Sequence, residues 1–190
     1  SQDIETNNFG KSNLTLVNFY ISQIKKYLDK NIYLVILSQV RPGFTRKIKW
    51  PLENLFYQVE TLVFGNAIKR AINPERIIVG SNNPKSNKPL NIYNFYKLFT
   101  KKIIKMNFES AEIAKISINL ILIANITAAN EIGAICEKIN ANWSDVYNAL
   151  VLDKRIGKNA YIKTGLGLSG GNLERDLFNR INICNKNSIN

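Results

Sequence analysis

Apolar positions in this chain fall into short runs and longer periodic stretches, and the alternation predicts layered α/β structure before a final helical part. From Asn13, a plausible N-cap, Leu16, Val17, Tyr20, Ile21, Ile24 and Leu28 recur at helical spacing. Tyr33–Val40 is a continuous apolar run rich in β-branched residues, the signature of a strand buried on both faces, and it ends in the turn Arg41-Pro42-Gly43. Phe44–Trp50 reads as the start of another helix that Pro51 stops or redirects. Asn54–Thr61 predicts a strand, Gly65–Ala71 a short helix, and the segment after Asn73-Pro74 a further strand ending at Gly80. A polar loop precedes a helix with Ile92, Phe95, Tyr96 and Phe99 on one side, and Ile103–Met106 forms a brief apolar run.

The longest element is predicted over Phe108–Asn140. It holds no Gly or Pro before Gly133 and no formal charge between Lys115 and Glu131. A helix apolar all round is normally buried, and Lys115, Ser117, Asn119, Asn125 and Thr127 make a membrane span the weaker reading. Lys115 and Asn119 lie four apart and share a face. Beyond it, Trp143-Ser144-Asp145 opens a helix that ends near Asp153, and five glycines fall between Gly157 and Gly171.

Composition changes this picture in few places. The chain has 190 residues, room for one domain or parts of two, and 26 basic against 14 acidic residues give a net charge of +12. That charge favours anionic partners, but the lysines are scattered and form no block of the kind that binds nucleic acid. With no histidine and only Cys136 and Cys184, the usual zinc sites and histidine acid–base chemistry are excluded, and no metal is expected. Cys136, on the apolar helix, reads as a core residue. A reducing, cytoplasmic setting without a membrane partner is the expectation, and a start at Ser1 without Met suggests a piece of a larger protein.

Gly165–Gly171 is the chemical candidate by composition, since glycines let backbone N–H groups approach phosphate oxygens. It lacks the Lys-Ser/Thr ending of a P-loop, and nothing before it reads as the strand of a dinucleotide fingerprint. A ligand loop and a plain connection both remain open. Lys115 likewise reads as a site residue or as a lysine snorkelling to water.

Spaced blocks then align with a known pattern. Ala111-Glu112, Lys115 and Asn119, then Asn130-Glu131 and Cys136-Glu137, then Arg155-Ile156-Gly157 with Ala160-Tyr161 and the glycine loop, resemble the UDP-glucose/GDP-mannose dehydrogenase family. Upstream, LSQVRPGFTR is similar to the family's STVPPGTT turn, and YQVETLVFGNAIKRAINPERIIVG to its NPEFLREG block. The resemblance runs from about Asn13 to the end and implies α/β architecture: a partial Rossmann-like parallel sheet followed by an all-α central domain built on one long helix. Residues 1–107 would be the C-terminal part of an NAD-binding domain, and 108–190 the helical domain that pairs two subunits into a homodimer. The first βα unit, with its glycine fingerprint, and the sugar-nucleotide domain have no counterpart here.

By the same resemblance the function is NAD-dependent oxidation of the primary alcohol of a nucleotide sugar. Lys115 matches the lysine that stabilises oxyanions, Asn119 the asparagine beside it, Glu60 the glutamate linked to thioester hydrolysis, and Asp176 an aspartate of the water network. Tyr161, Arg155, Gly165, Gly167, Gly170 and Gly171 match substrate-binding positions, with Arg155 resembling an arginine that reaches a neighbouring subunit's substrate. Gln39 and Arg175 fall at cofactor-side positions. Departures accompany these matches. Asn172 occupies the catalytic cysteine position, Gln39 stands for a threonine, Val59 for a proline, Thr61 for a phenylalanine and Arg175 for a lysine. An amide cannot add to an aldehyde, so the covalent second oxidation lacks its nucleophile. Altered chemistry, oxidation through an aldehyde hydrate, a decayed homologue and a non-catalytic, basic helical interaction module are the competing readings.

Overall fold

A computed structural model describes residues 12–62, 65–165, 171–186 and 188, with backbone alone at 171, 172, 174, 175, 179 and 186. The chain divides into two compact units, Ser1–Ile116 and Ser117–Asn190.

The first unit is built on four strands in the order β1-β2-β3-β4: β1 (Leu34–Ile36), β2 (Leu55–Val59), β3 (Ile77–Ser81) and β4 (Ile103–Asn107). β1 pairs parallel with β2 and β3 parallel with β4, whereas β2 and β3 run antiparallel, Tyr57 facing Gly80 and Val59 facing Ile78. Successive side chains of a strand point to opposite faces, and here both faces are apolar. Tyr57 and Ile78 join Val17 and Ile21 of α1 (Thr15–Tyr27) in one core cluster. Phe56, Ile77 and Val79 join Ile92, Tyr93 and Tyr96 of α3 (Leu90–Lys97) in the other. A sheet covered on both sides explains why its strands read as unbroken apolar runs. α2 (Ala67–Ile72) lies between β2 and β3 in the chain.

Several sequence expectations are corrected. Phe44–Trp50 forms only a 3-10 turn at Thr45–Lys47. The Thr45 N–H is bonded to a distant glutamate, and Trp50 turns in to donate its indole N–H to the Ile32 carbonyl at 3.1 Å. On α3 the buried set is Ile92, Tyr93 and Tyr96, while Phe95 stays 55% exposed and packs edge-on against Phe99. The apolar run before the long helix is β4, a strand in its own right. Asn13 lies just outside α1, its Oδ1 accepting the Thr15 N–H at 3.1 Å.

The long helix α4 spans Phe108–Lys138 and follows β4 directly. The Asn107 Oδ1 accepts the Ser110 N–H at 2.8 Å, so the last residue of the strand satisfies a free amide of the helix's first turn. Phe108, Ala111 and Ile116 have no exposed surface. Their close seating requires Gly80. A Cβ there would lie 2.8 Å from the Ala111 Cβ and 3.2 Å from the Phe108 Cα, inside normal contact.

Glu112 secures the same turn. Fully buried, it accepts the Thr45 N–H at 2.8 Å and the Gly43 N–H at 2.5 Å, capping the turn after Pro42 with one carboxylate. Burial pushes its carboxyl above the ordinary range, and nearby Glu109 adds to the rise, against the pull of the Thr45 and Gly43 hydrogen bonds. A carboxyl raised on folding adds stability fully present below its ordinary pKa and lost as pH climbs through the raised value. Glu109 is the opposite case. The Arg46 guanidinium holds it below the ordinary range, so its contribution is present at neutral pH and fades on acidification.

Past Ile116 the expected all-round burial is not met within this chain. Ile121 is 63% exposed and Ile135 57%, and only Asn119, Ala129, Gly133 and Cys136 are buried along the rest of the helix. By length and composition alone α4 is also apolar enough to cross a membrane.

Gly80→Ala should cost about 1–3 kcal/mol, because the obstructing atoms include helix backbone that cannot swing aside. Urea denaturation checks it, and an unchanged midpoint would contradict the close approach described here.

Candidate functional site

The second unit carries the rest of α4, then α5 (Trp143–Leu152) and α6 (Gly171–Lys186). Asn142 caps α5, its Oδ1 accepting the Ser144 N–H at 2.9 Å. Residues 153–165 contain no helix or strand. The start of the glycine loop is nonetheless held against α4. The Gly165 N–H donates to the Asn130 Oδ1 at 3.0 Å, and Thr164 packs its methyl over Gly133.

Beyond the loop, α6 brings Asp176 to α4. Asp176 has no exposed surface, and the Asn119 amide, 9% exposed, donates to its Oδ2 at 2.5 Å. A carboxylate removed from water needs hydrogen-bond donors, and Asn119 is one that the helix places there. Asn119 and Asn130 are eleven residues apart, three turns, so they share a face and lie about 16 Å apart along the axis. One stripe of α4 therefore grips the chain on both sides of residues 166–170.

The structure brings together Asn119 and Asp176, both expected to be catalytic. Lys115 is half-buried one turn earlier on the same face of α4. Asn172 and Arg175 belong to the first turns of α6, and their side chains lie outside the described residues. Glu60 belongs to the sheet unit, half-buried just past β2. It lines a cavity of about 300 Å³ shared with Arg70, Glu75, Arg76, Tyr96 and Phe99.

Of the substrate-side positions, Tyr161 is 56% exposed. Arg155 folds back on Asp153, its Nε and Nη2 reaching the two carboxylate oxygens at 3.0 and 2.6 Å. Gly165 is tied as described and Gly171 begins α6, while Gly167 and Gly170 lie outside the described residues.

Sequence reasoning used Glu112 and Asn130 only as motif positions of the resemblance and gave them, like Gly133, no role of their own. For Glu112 the available signal was an acidic residue on the apolar side of a helix, since a charge there needs a partner. For Asn130 and Gly133 there was none, because their partners at Thr164 and Gly165 depend on how the later chain returns.

Toward NAD the residues present fit only in part. Gln39 is half-buried beyond the C-terminal end of β1, the end at which open α/β sheets take ligands. The glycine loop is followed by a helix, α6, and residues 153–165 ahead of it contain no strand. Among the described residues no three His, Cys, Asp or Glu gather as a metal site would need.

Residues 109–190 match the model of the UDP-glucose/GDP-mannose dehydrogenase family, central domain. Over that segment the chain carries the family's central-domain pattern. UDP-glucose 6-dehydrogenase of Rickettsia prowazekii is 30% identical over 187 residues, covering 95% of this chain and 43% of that protein. The Rattus norvegicus UDP-glucose 6-dehydrogenase is 32% identical over 130 residues, covering 66% of this chain and 26% of that protein. The solved UDP-glucose dehydrogenase of Pyrobaculum islandicum superposes with a TM-score of 0.85 at 22% identity, covering all of this chain and 46% of that one, which establishes a common fold. The chain thus spans less than half the length of these relatives.

Asn119→Ala leaves a buried carboxylate short of a donor and should cost about 2–4 kcal/mol. Chemical denaturation of the variant measures it, and a loss below the usual surface-site scatter would show that the pair does not hold α6.

Proposed function

We propose that this chain is the middle portion of an NAD-dependent nucleotide-sugar dehydrogenase that oxidises a primary alcohol. Residues 1–107 would be the second half of the NAD-binding domain and 108–190 the helical domain. The observation that carries the reading is the buried Asn119–Asp176 pair inside the segment matched to the family's central domain. A hydrogen-bonded carboxylate removed from solvent is costly for a merely structural protein to keep.

In this reading the Lys115 ammonium and the Asn119 amide face the sugar hydroxyl and stabilise negative charge as its proton leaves. Asp176 orders the water that takes that proton, and the Asn119 bond holds it in place. NAD, when bound, would supply the hydride acceptor. Glu60 would position the water that hydrates the aldehyde, since no thioester forms for it to hydrolyse. Tyr161 and the glycine loop hold the substrate's phosphate and sugar, and Arg175 and Gln39 line the cofactor side. Arg155 must exchange Asp153 for a partner subunit's substrate, a trade between two anions of similar shape. The proposed setting is cytoplasmic.

The sheet supports a two-part NAD domain. Among the described residues β1 is an edge strand, with β2 on one side only. Beside it Leu16, Phe19, Tyr20 and Ile24 of α1 are 40–52% exposed, and an apolar cavity of about 340 Å³ runs along α1 and β1. A further parallel strand and helix would pair the edge and cover these side chains, as the other half of a dinucleotide fold does.

For the exposed isoleucines of α4 we propose a second copy of this chain as cover. Lipid is the weaker candidate, because α4 carries polar ties to its own chain at Asn119 and Asn130 within the apolar stretch. Sedimentation of the complete protein should give a dimer at micromolar concentration, with Ile121→Lys and Ile135→Lys together shifting it to monomer. A clean wild-type monomer would contradict the pairing.

With Asn172 in place of a thiol, the complete enzyme should release aldehyde, or reach the acid slowly through the hydrate, and never carry a covalent sugar. Intact-mass spectrometry during turnover with UDP and GDP sugars tests this. A thioester-mass adduct on Cys136 or Cys184 would overturn it.

A further inference from the structure

From the sheet unit we infer a second anion site, a cleft between α1 and the Thr45–Lys49 segment that takes a phosphoryl or pyrophosphoryl group of a small molecule. The cleft has a volume of about 200 Å³ and is lined by Asn18, Lys25, Phe44, Lys47, Ile48 and Lys49. Three lysines thus line one small space together with the apolar Phe44 and Ile48. Among the described residues none of the three has a carboxylate within ion-pairing distance.

The crowding has a cost that is already visible in Lys25. Burial first, and the Lys49 charge second, push its amine below the ordinary lysine range. Two other cations of this unit are held by side-chain or carbonyl oxygens. Arg46 is clamped on Glu109 and Asn82, and Lys105 reaches the Ser86 carbonyl and the Asn87 side chain. Unmatched lysines lining a cleft together with apolar residues are what a multiply charged anion needs. The apolar lining lowers the local dielectric and strengthens the attraction, and a ligand of two or more charges neutralises several ammonium groups at once. Asn18 adds a side-chain amide that can donate to a phosphate oxygen. None of these residues belongs to the proposed dehydrogenase machinery, so this cleft stands or falls apart from it.

The test is calorimetric titration of inorganic pyrophosphate into the full 190-residue chain, its Lys25→Gln/Lys49→Gln variant and a Lys102→Gln control, with sulfate at matched ionic strength as a second arm. The wild type and the control should bind one equivalent saturably, and the double variant about tenfold or more weakly. Sulfate should bind less tightly than pyrophosphate. Without ligand the double variant should melt no lower than wild type, since like charges have been removed. Equal weakening in the control, binding without saturation, or a double variant that melts lower would each overturn the assignment, the last by making these lysines structural.

Discussion

Everything in the first unit depends on how closely the start of α4 can approach the sheet. The absence of a side chain at Gly80 lets Phe108 and Ala111 sit directly over β3. Once there, Glu112 reaches the two amides after Pro42 and fixes the turn that follows β1. A buried carboxylate satisfied by backbone donors is a specific latch, since an apolar residue of the same size would leave both N–H groups stranded. The strand, the turn and the long helix are thereby set as one piece.

The second unit uses α4 in another way, as a rail. Polar residues on one stripe, Asn119 and Asn130, catch the returning chain on either side of the glycine loop. Their neighbours on other faces are isoleucines that the chain leaves uncovered. A helix with a narrow polar seam and a wide apolar remainder explains its low amphipathic contrast, and why periodicity alone marked it as buried throughout.

Much of this was legible in the sequence. All four strands coincide with apolar runs, and α1, α2, α3, α4 and α5 fall where helical spacing or capping residues pointed. What was not legible depended on distant partners. Thr45–Lys47 stays a single turn because its amide is taken by Glu112, 67 residues away. The inward set on α3 includes Tyr93 rather than Phe95, a choice made by the sheet it packs on. α6 went unread because the glycine run ahead of it masked Leu173, Leu177 and Ile181 at four-residue spacing. At the candidate site, spacing linked Lys115 to Asn119, but the meeting of Asn119 with Asp176 across 57 residues came from family resemblance and not from any local pattern.

The Glu112 latch also has a bearing on biosynthesis. Gly43 and Glu112 are 69 positions apart, so the turn after β1 leaves the ribosome long before its acceptor does. At about 5–20 residues per second that interval is roughly 3–14 s. Parallel strand pairing is likewise non-local here, Leu34 meeting Leu55 and Ile77 meeting Ile103. Such contacts form slowly because the loop must close before anything rewards it. Until Glu112 is made, the turn after β1 lacks the carboxylate that fixes it in the folded unit.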